Sequence, residues 1–139
     1  MKPFMSTYRS QIYALMRIVT GFLFLWHGAQ KLFGFPSAIP GEVPAFITYL
    51  AGPIELIAGA LVMIGLFTHW ASFLASGQMA VAYWIAHGTK ALLPIQNNGE
   101  LAVLYCFIFL FISSQGSGIW SIDALRNTDS SKRVTSGRS

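Results

Sequence analysis

Charge is scarce in this chain. Lys and Arg number 9 and Asp and Glu 5, so that 10% of its 139 residues are charged, where a soluble domain of this size carries about a quarter. The shortage excludes an ordinary solvated surface and any long charged binding stripe. Cysteine is scarcer still: one residue, Cys106, rules out an internal disulfide, a C-x-x-C redox pair and a thiolate cluster. Its sequence context is that of a small packed hydrophobe, and any redox chemistry would have to reside on a bound group. The three histidines do not fall at His-x-x-x-His spacing, and no single apolar stretch holds paired carboxylates, so no dedicated metal site is expected.

Apolar residues take the place of charge. They make up 54% of the chain, with a mean hydropathy of +0.55. Four stretches approach the roughly 20 residues needed to cross a hydrocarbon core about 30 Å thick: Gln11–Phe33, Ala45–Leu66, Trp70–His87 and Asn98–Ile119. Turn chemistry separates them: Gly34, Pro36, Pro40 and Gly41, then Gly65 and Thr68, then Pro94 and Asn97-Asn98-Gly99. The pattern predicts an all-α integral membrane protein built as a four-transmembrane-helix bundle over residues 1–125. A polar, basic tail at 126–139 lacks apolar period and reads as disordered and cytoplasmic. A cleaved signal peptide at the N-terminus is the weaker alternative, because Arg17 interrupts the apolar run and no A-x-A-like site follows it.

Positive residues set the expected orientation. Lys2 and Arg9 precede the first stretch, and Arg126, Lys132, Arg133 and Arg138 follow the fourth, whereas the first and third connections carry only Lys31 and Lys90. Both termini are therefore predicted to face the cytoplasm. The net charge of +4 follows from topology and attraction to anionic lipid, and no nucleic-acid motif accompanies it.

Polar residues inside the apolar stretches mark the interior. On a helical wheel Arg17, Thr20, Gly21, Phe24, His27, Gly28 and Lys31 share about one third of the circumference. Lipid penalises such a face, so it should point into the bundle. The second stretch aligns Gly52, Glu55, Gly59 and Met63, with Pro53 expected to kink the helix just before the glutamate. The third aligns Ser72, Ser76, Ala80, Tyr83 and His87, and the fourth Glu100, Leu104, Phe107, Phe111 and Ser114. Counting along the second stretch puts Glu55 near its middle, where a carboxylate needs a proton or a cation, and Arg17 and Lys31 are the candidates.

The two halves echo each other. "HGAQKLFGFP" followed by "GPIEL" corresponds to "HGTKALLP" followed by "NNGEL", suggesting a tandem repeat of two helical hairpins. His27 and His87 then lie at matching depths and should be close across the bundle.

The blocks "HGAQKLFG", "ELIAGALVMIGLFT" and "GSGIWSIDAL", in that order from Arg17 to Leu125, resemble the DoxX family of small four-helix bacterial membrane proteins. One departure is His69, where the family commonly has an arginine after "GLFT"; this lowers the positive charge of the second connection. The resemblance implies a multi-pass protein of the bacterial plasma (inner) membrane, in a family named for a subunit linked to quinol oxidation.

Arg17, His27, Lys31, Glu55, His87 and Glu100 are the candidate ligand-binding residues. They could line a polar pocket in which cations balance carboxylates and histidines exchange protons with a quinone-like headgroup. The competing interpretation is a structural polar network that fixes helix register. A haem held by His27 and His87 is the weaker cofactor choice, since the flanking charges are unusual for a haem pocket. Two other functions stay open: a small-solute transporter centred on Glu55, which would need a homo-oligomer, and a non-catalytic assembly subunit of a membrane or peripheral oxidoreductase. Whether the chain is itself an enzyme does not follow from these residues.

Overall fold

The computed structural model describes residues 3–39 and 44–128. Among the described residues there is no strand. A short 3-10 turn, Ser6–Tyr8, leads into helix α1, Arg9–Phe33. Helix α2, Gly52–Ile64, is preceded by one π-type turn, Ile47–Ala51. Helix α3, Thr68–Ala82, continues into a second π-type turn, Tyr83–Gly88. A single turn, α4 (Pro94–Asn97), precedes α5, Glu100–Gln115, and a short helix α6 covers residues 122–128.

Two segments, Ser6–Phe33 and Ile47–Ile64, are long and apolar enough to cross a membrane, while α5 is apolar but has only 16 residues. The burial pattern is inverted relative to a soluble protein. Arg17, Thr20, Glu55, Ser72 and Ser76 are buried, whereas Leu15, Val19, Phe22, Ile57, Phe73, Trp84, Leu104 and Phe107 face outward on every side. An outward surface of this kind fits hydrocarbon.

Packing follows the hairpins. The most extensive interfaces are α1 on α2 and α3 on α5, and α2 meets α3 over a smaller area. In the first hairpin the backbones nearly touch: a Cβ added at Gly28 would lie 2.3 Å from the Leu56 nitrogen, and one at Gly21 2.5 Å from that of Met63. Only glycine permits this approach. The hairpins meet through an apolar core in which the Phe24 ring lies 4.6 Å from Phe109.

Several expectations are refined. The kink anticipated at Pro53 is taken up by the π-type turn just before it, which closes with Gly52 N–H donating to Ile47 O; widening the helix here relieves the clash and lost donor that proline imposes. Helix α5 is shorter than the predicted Asn98–Ile119, because Asn98 adopts a left-handed φ of 57° and Gly116 turns the chain out at φ 79°. Tyr13 secures that exit by donating its hydroxyl to Gly116 O at 2.5 Å. The face predicted to be interior on α5 is overturned: Leu104, Phe107, Phe111 and Ser114 point outward, and Tyr105, Phe109 and Ile112 form the buried face. The tail predicted from 126 starts within α6, whose first turn is capped by Ser121 Oγ accepting from Ala124 N–H at 3.3 Å. Its remainder, from 129, lies outside the described residues, as do Lys2, Pro40 and Gly41.

Candidate functional site

A cavity of about 560 Å3 is lined by residues of α1, α2, α3, α5 and the two π-type turns. Most of its wall is apolar. Its polar side chains come from five elements: His27 and Lys31 from the last turns of α1, Glu55 from the first turn of α2, Gln78 from α3, His87 from the π-type turn, and Asn98 and Tyr105 from the start and middle of the segment that forms α5.

The innermost element is an ion pair between Lys31 Nζ and Glu55 Oε2. The second carboxylate oxygen, Oε1, accepts from Gln78 Nε2 at 2.8 Å, and the same amide nitrogen reaches Ala51 O at 3.4 Å. Because both partners of that nitrogen are acceptors, the orientation of the Gln78 amide is fixed. Its Oε1 is buried with no hydrogen-bond partner.

His87 is held from behind. Its Nδ1 lies 2.9 Å from Asn97 O, and since a carbonyl only accepts, Nδ1 carries the proton and Nε2 is left as the other functional atom. Asn97, 2% exposed, braces the turn: its Nδ2 donates to Ala91 O at 2.9 Å and to the Tyr83 hydroxyl at 3.2 Å, while its Oδ1 accepts from Gly99 N–H at 2.8 Å. His27 stands edge-on to Tyr105, with ring centroids 5.9 Å apart. Neither His27 nor the Tyr105 hydroxyl has a hydrogen-bond partner among the described residues.

Of the six residues singled out from sequence, four line this cavity: His27, Lys31, Glu55 and His87. Arg17 does not. It is fully buried at the opposite end of the bundle, where Nη1 donates to Val62 O at 2.7 Å and Met63 O at 2.8 Å, and Nη2 to Trp120 O at 2.7 Å and Ile119 O at 3.3 Å. It ties the C-terminal end of α2 to the segment after α5, so the cationic partner of Glu55 is Lys31. Glu100 is also outside the cavity, exposed in the first turn of α5, where a carboxylate complements the helix dipole.

Sequence reasoning passed over Gln78, Tyr105 and Asn97. An amide inside the apolar "ASGQMAVA" run and a tyrosine inside "LAVLYCFIF" were the available signals.

The family model for DoxX matches residues 12–88, which contain His27, Lys31, Glu55, Gln78 and His87. The chain belongs to the DoxX family. This DoxX protein is 36% identical over 125 residues to an uncharacterized protein of Haemophilus influenzae, covering 86% of this chain and 93% of the relative. It is 32% identical over 113 residues to "Putative oxidoreductase CatD" of Bacillus subtilis, covering 78% of this chain and 82% of the relative. No solved structure matches it.

Proposed function

We propose that this DoxX protein crosses the bacterial inner membrane four times, with both termini cytoplasmic, and binds a quinone-like redox ligand as the membrane subunit of an oxidoreductase system. The observation that carries this proposal is the cavity. Its 560 Å3 fall within the range of small-molecule sites, its walls are mostly apolar, and they carry a few polar groups, among them the contiguous Lys31–Glu55–Gln78 set and the His27–Tyr105 pair, as suits a flat apolar ring bearing a few oxygen atoms. The name of the Bacillus subtilis relative agrees with the redox class.

The residues present fit such a ligand. A quinone would supply the reversible two-electron chemistry that the chain, with its single cysteine, does not contain. The protein's own groups would orient the ring and exchange protons with its oxygens: His87 through Nε2, its Nδ1 proton being committed to Asn97, and His27 through nitrogens that no described residue engages. The Lys31–Glu55 pair would contribute a fixed local field while remaining nearly neutral overall.

A partner that accepts or donates the electrons completes the system. The test is extraction and mass spectrometry of small molecules from protein purified in native-lipid discs, followed by titration with a short-chain quinone. A lipophilic redox-active ring retained near one per chain, and saturable quinone binding, are expected. Protein that retains nothing and does not bind quinone would overturn the proposal, and proton-coupled solute uptake in vesicles would point to the transporter instead.

A further inference from the structure

The cavity has a mouth and a deep wall, and each carries chemistry beyond that of the ion pair and the histidines. Phe46, Leu50, Leu74, Val81, Ile85 and Leu101 line the cavity and are also exposed on the outside of the molecule. The opening is therefore rimmed by the same apolar surface that faces hydrocarbon. Gly77 sits on α3 between Leu74 and Val81 and lines the opening as well. The glycines of the first hairpin, Gly21, Gly28 and Gly59, are pressed against neighbouring backbone, but a Cβ added at Gly77 would meet nothing within 4 Å. A glycine inside a helix is less stable than alanine by about 0.5–1 kcal/mol, and here no packing contact requires it. What it preserves is space at the mouth.

Tyr105 forms part of the deep wall. It is 7% exposed, and its ring is fixed by Phe109 at 5.7 Å, Phe24 at 5.2 Å and His27 at 5.9 Å. Its hydroxyl has no partner among the described residues, yet unlike Gln78 Oε1 it is not sealed in by protein atoms. A hydroxyl that opens on the cavity and has no protein partner is free to donate to whatever fills that space.

We infer that the ligand loads sideways from the bilayer through the opening at Gly77, and that Tyr105 donates a hydrogen bond to a ring oxygen while the apolar tail remains among the rim residues. The ligand class is a lipophilic ring with at least one hydrogen-bond-accepting oxygen and a hydrocarbon substituent. This rests on the proposed quinone-like ligand and adds its entry route and the residue that recognises it.

The test uses the full chain in lipid discs, titrated with a decyl-substituted benzoquinone and, separately, with decylbenzene, which lacks the oxygens. Tyr105→Phe removes no hydrogen bond between described residues and should fold normally. It should weaken the quinone about 3- to 10-fold and leave decylbenzene unchanged. Gly77→Phe should weaken both ligands at least 10-fold by filling the mouth, with Gly77→Ala as the folding control on the same helix position. Wild-type protein that does not bind the quinone would overturn the proposed function and this inference with it. Wild-type binding that neither Tyr105→Phe nor Gly77→Phe weakens would overturn this inference alone.

Discussion

Lys31 and Glu55 form a pair whose two members are not equally replaceable. The Glu55 side chain is 3% exposed and that of Lys31 is 18% exposed. Lys31 lies in the last turn of α1, two residues before Phe33, so its ammonium can swing toward the helix end and water if its partner is lost. Glu55 has no such exit: without Lys31 its carboxylate keeps only the amide of Gln78. Removing one member of a buried pair costs about 3–5 kcal/mol when the remaining charge is stranded. Lys31→Met should fall in that range, whereas Glu55→Gln should lose about 1–2 kcal/mol, because the lysine relocates and the new amide still accepts from Gln78. The double variant Lys31→Met/Glu55→Gln carries no stranded charge and should be more stable than Lys31→Met alone by about 2 kcal/mol. Denaturant unfolding in one detergent, followed by helix content, gives all four stabilities. Equal losses in the two single variants, or a double variant whose loss is the sum of the two, would refute the asymmetry and the pairing behind it.

Arg17→Met should destabilise by about 3 kcal/mol or more, since four backbone carbonyls lose a charged donor, and Arg17→Lys should not restore it because an ammonium cannot span both segments as a fork does; the same unfolding assay measures both. Gly28→Ala should cost about 1–3 kcal/mol or more by forcing the hairpin apart, whereas Gly77→Ala should gain about 0.5–1 kcal/mol. A reporter fused after Ser139 should read as cytoplasmic and one inserted at Thr89 as external; a cytoplasmic reading at Thr89 would remove the four-span topology.

The interior of the first hairpin was legible because its markers are unambiguous. Arg17, Thr20 and Glu55 are expensive in lipid, Gly21, Gly28 and Gly59 are small, and all lie on faces that the structure buries. Helix α5 offers no such contrast. Between Glu100 and Ser113 only Tyr105 and Cys106 carry a polar atom in their side chains, and the place of Glu100 at the helix start says nothing about the direction of the helix middle. Gln78 was missed for a different reason. It lies about 120° around the helix from Ser72, outside the serine stripe, because that stripe faces α5, where Ser76 donates to Cys106 O at 2.8 Å, while Gln78 faces α2. The π-type turns are also invisible to a wheel drawn at a fixed 3.6 period: the wider winding of Tyr83–Gly88 changes the direction in which its later residues point, His87 among them.

The two halves of the chain are alike in packing more than in polar chemistry. Each half forms its own closely packed hairpin, and His27 and His87 come from corresponding positions to line one cavity. The charged pair is not copied, however: Lys31 and Glu55 are joined in the first hairpin, whereas Lys90 and Glu100 in the second are both exposed. The second hairpin contributes hydrogen-bonding groups instead, namely Gln78, His87 and Tyr105. Its amide at Gln78 reaches Glu55 across the α2–α3 seam, so the ion pair of one hairpin is completed by the other. A ligand lodged in that seam would touch both hairpins, and any molecule that binds only the docked arrangement stabilises it by mass action. The less extensive α2–α3 interface is thus where binding energy can be coupled to hairpin docking, while the glycine-lined contact of α1 with α2 holds the ion pair in place.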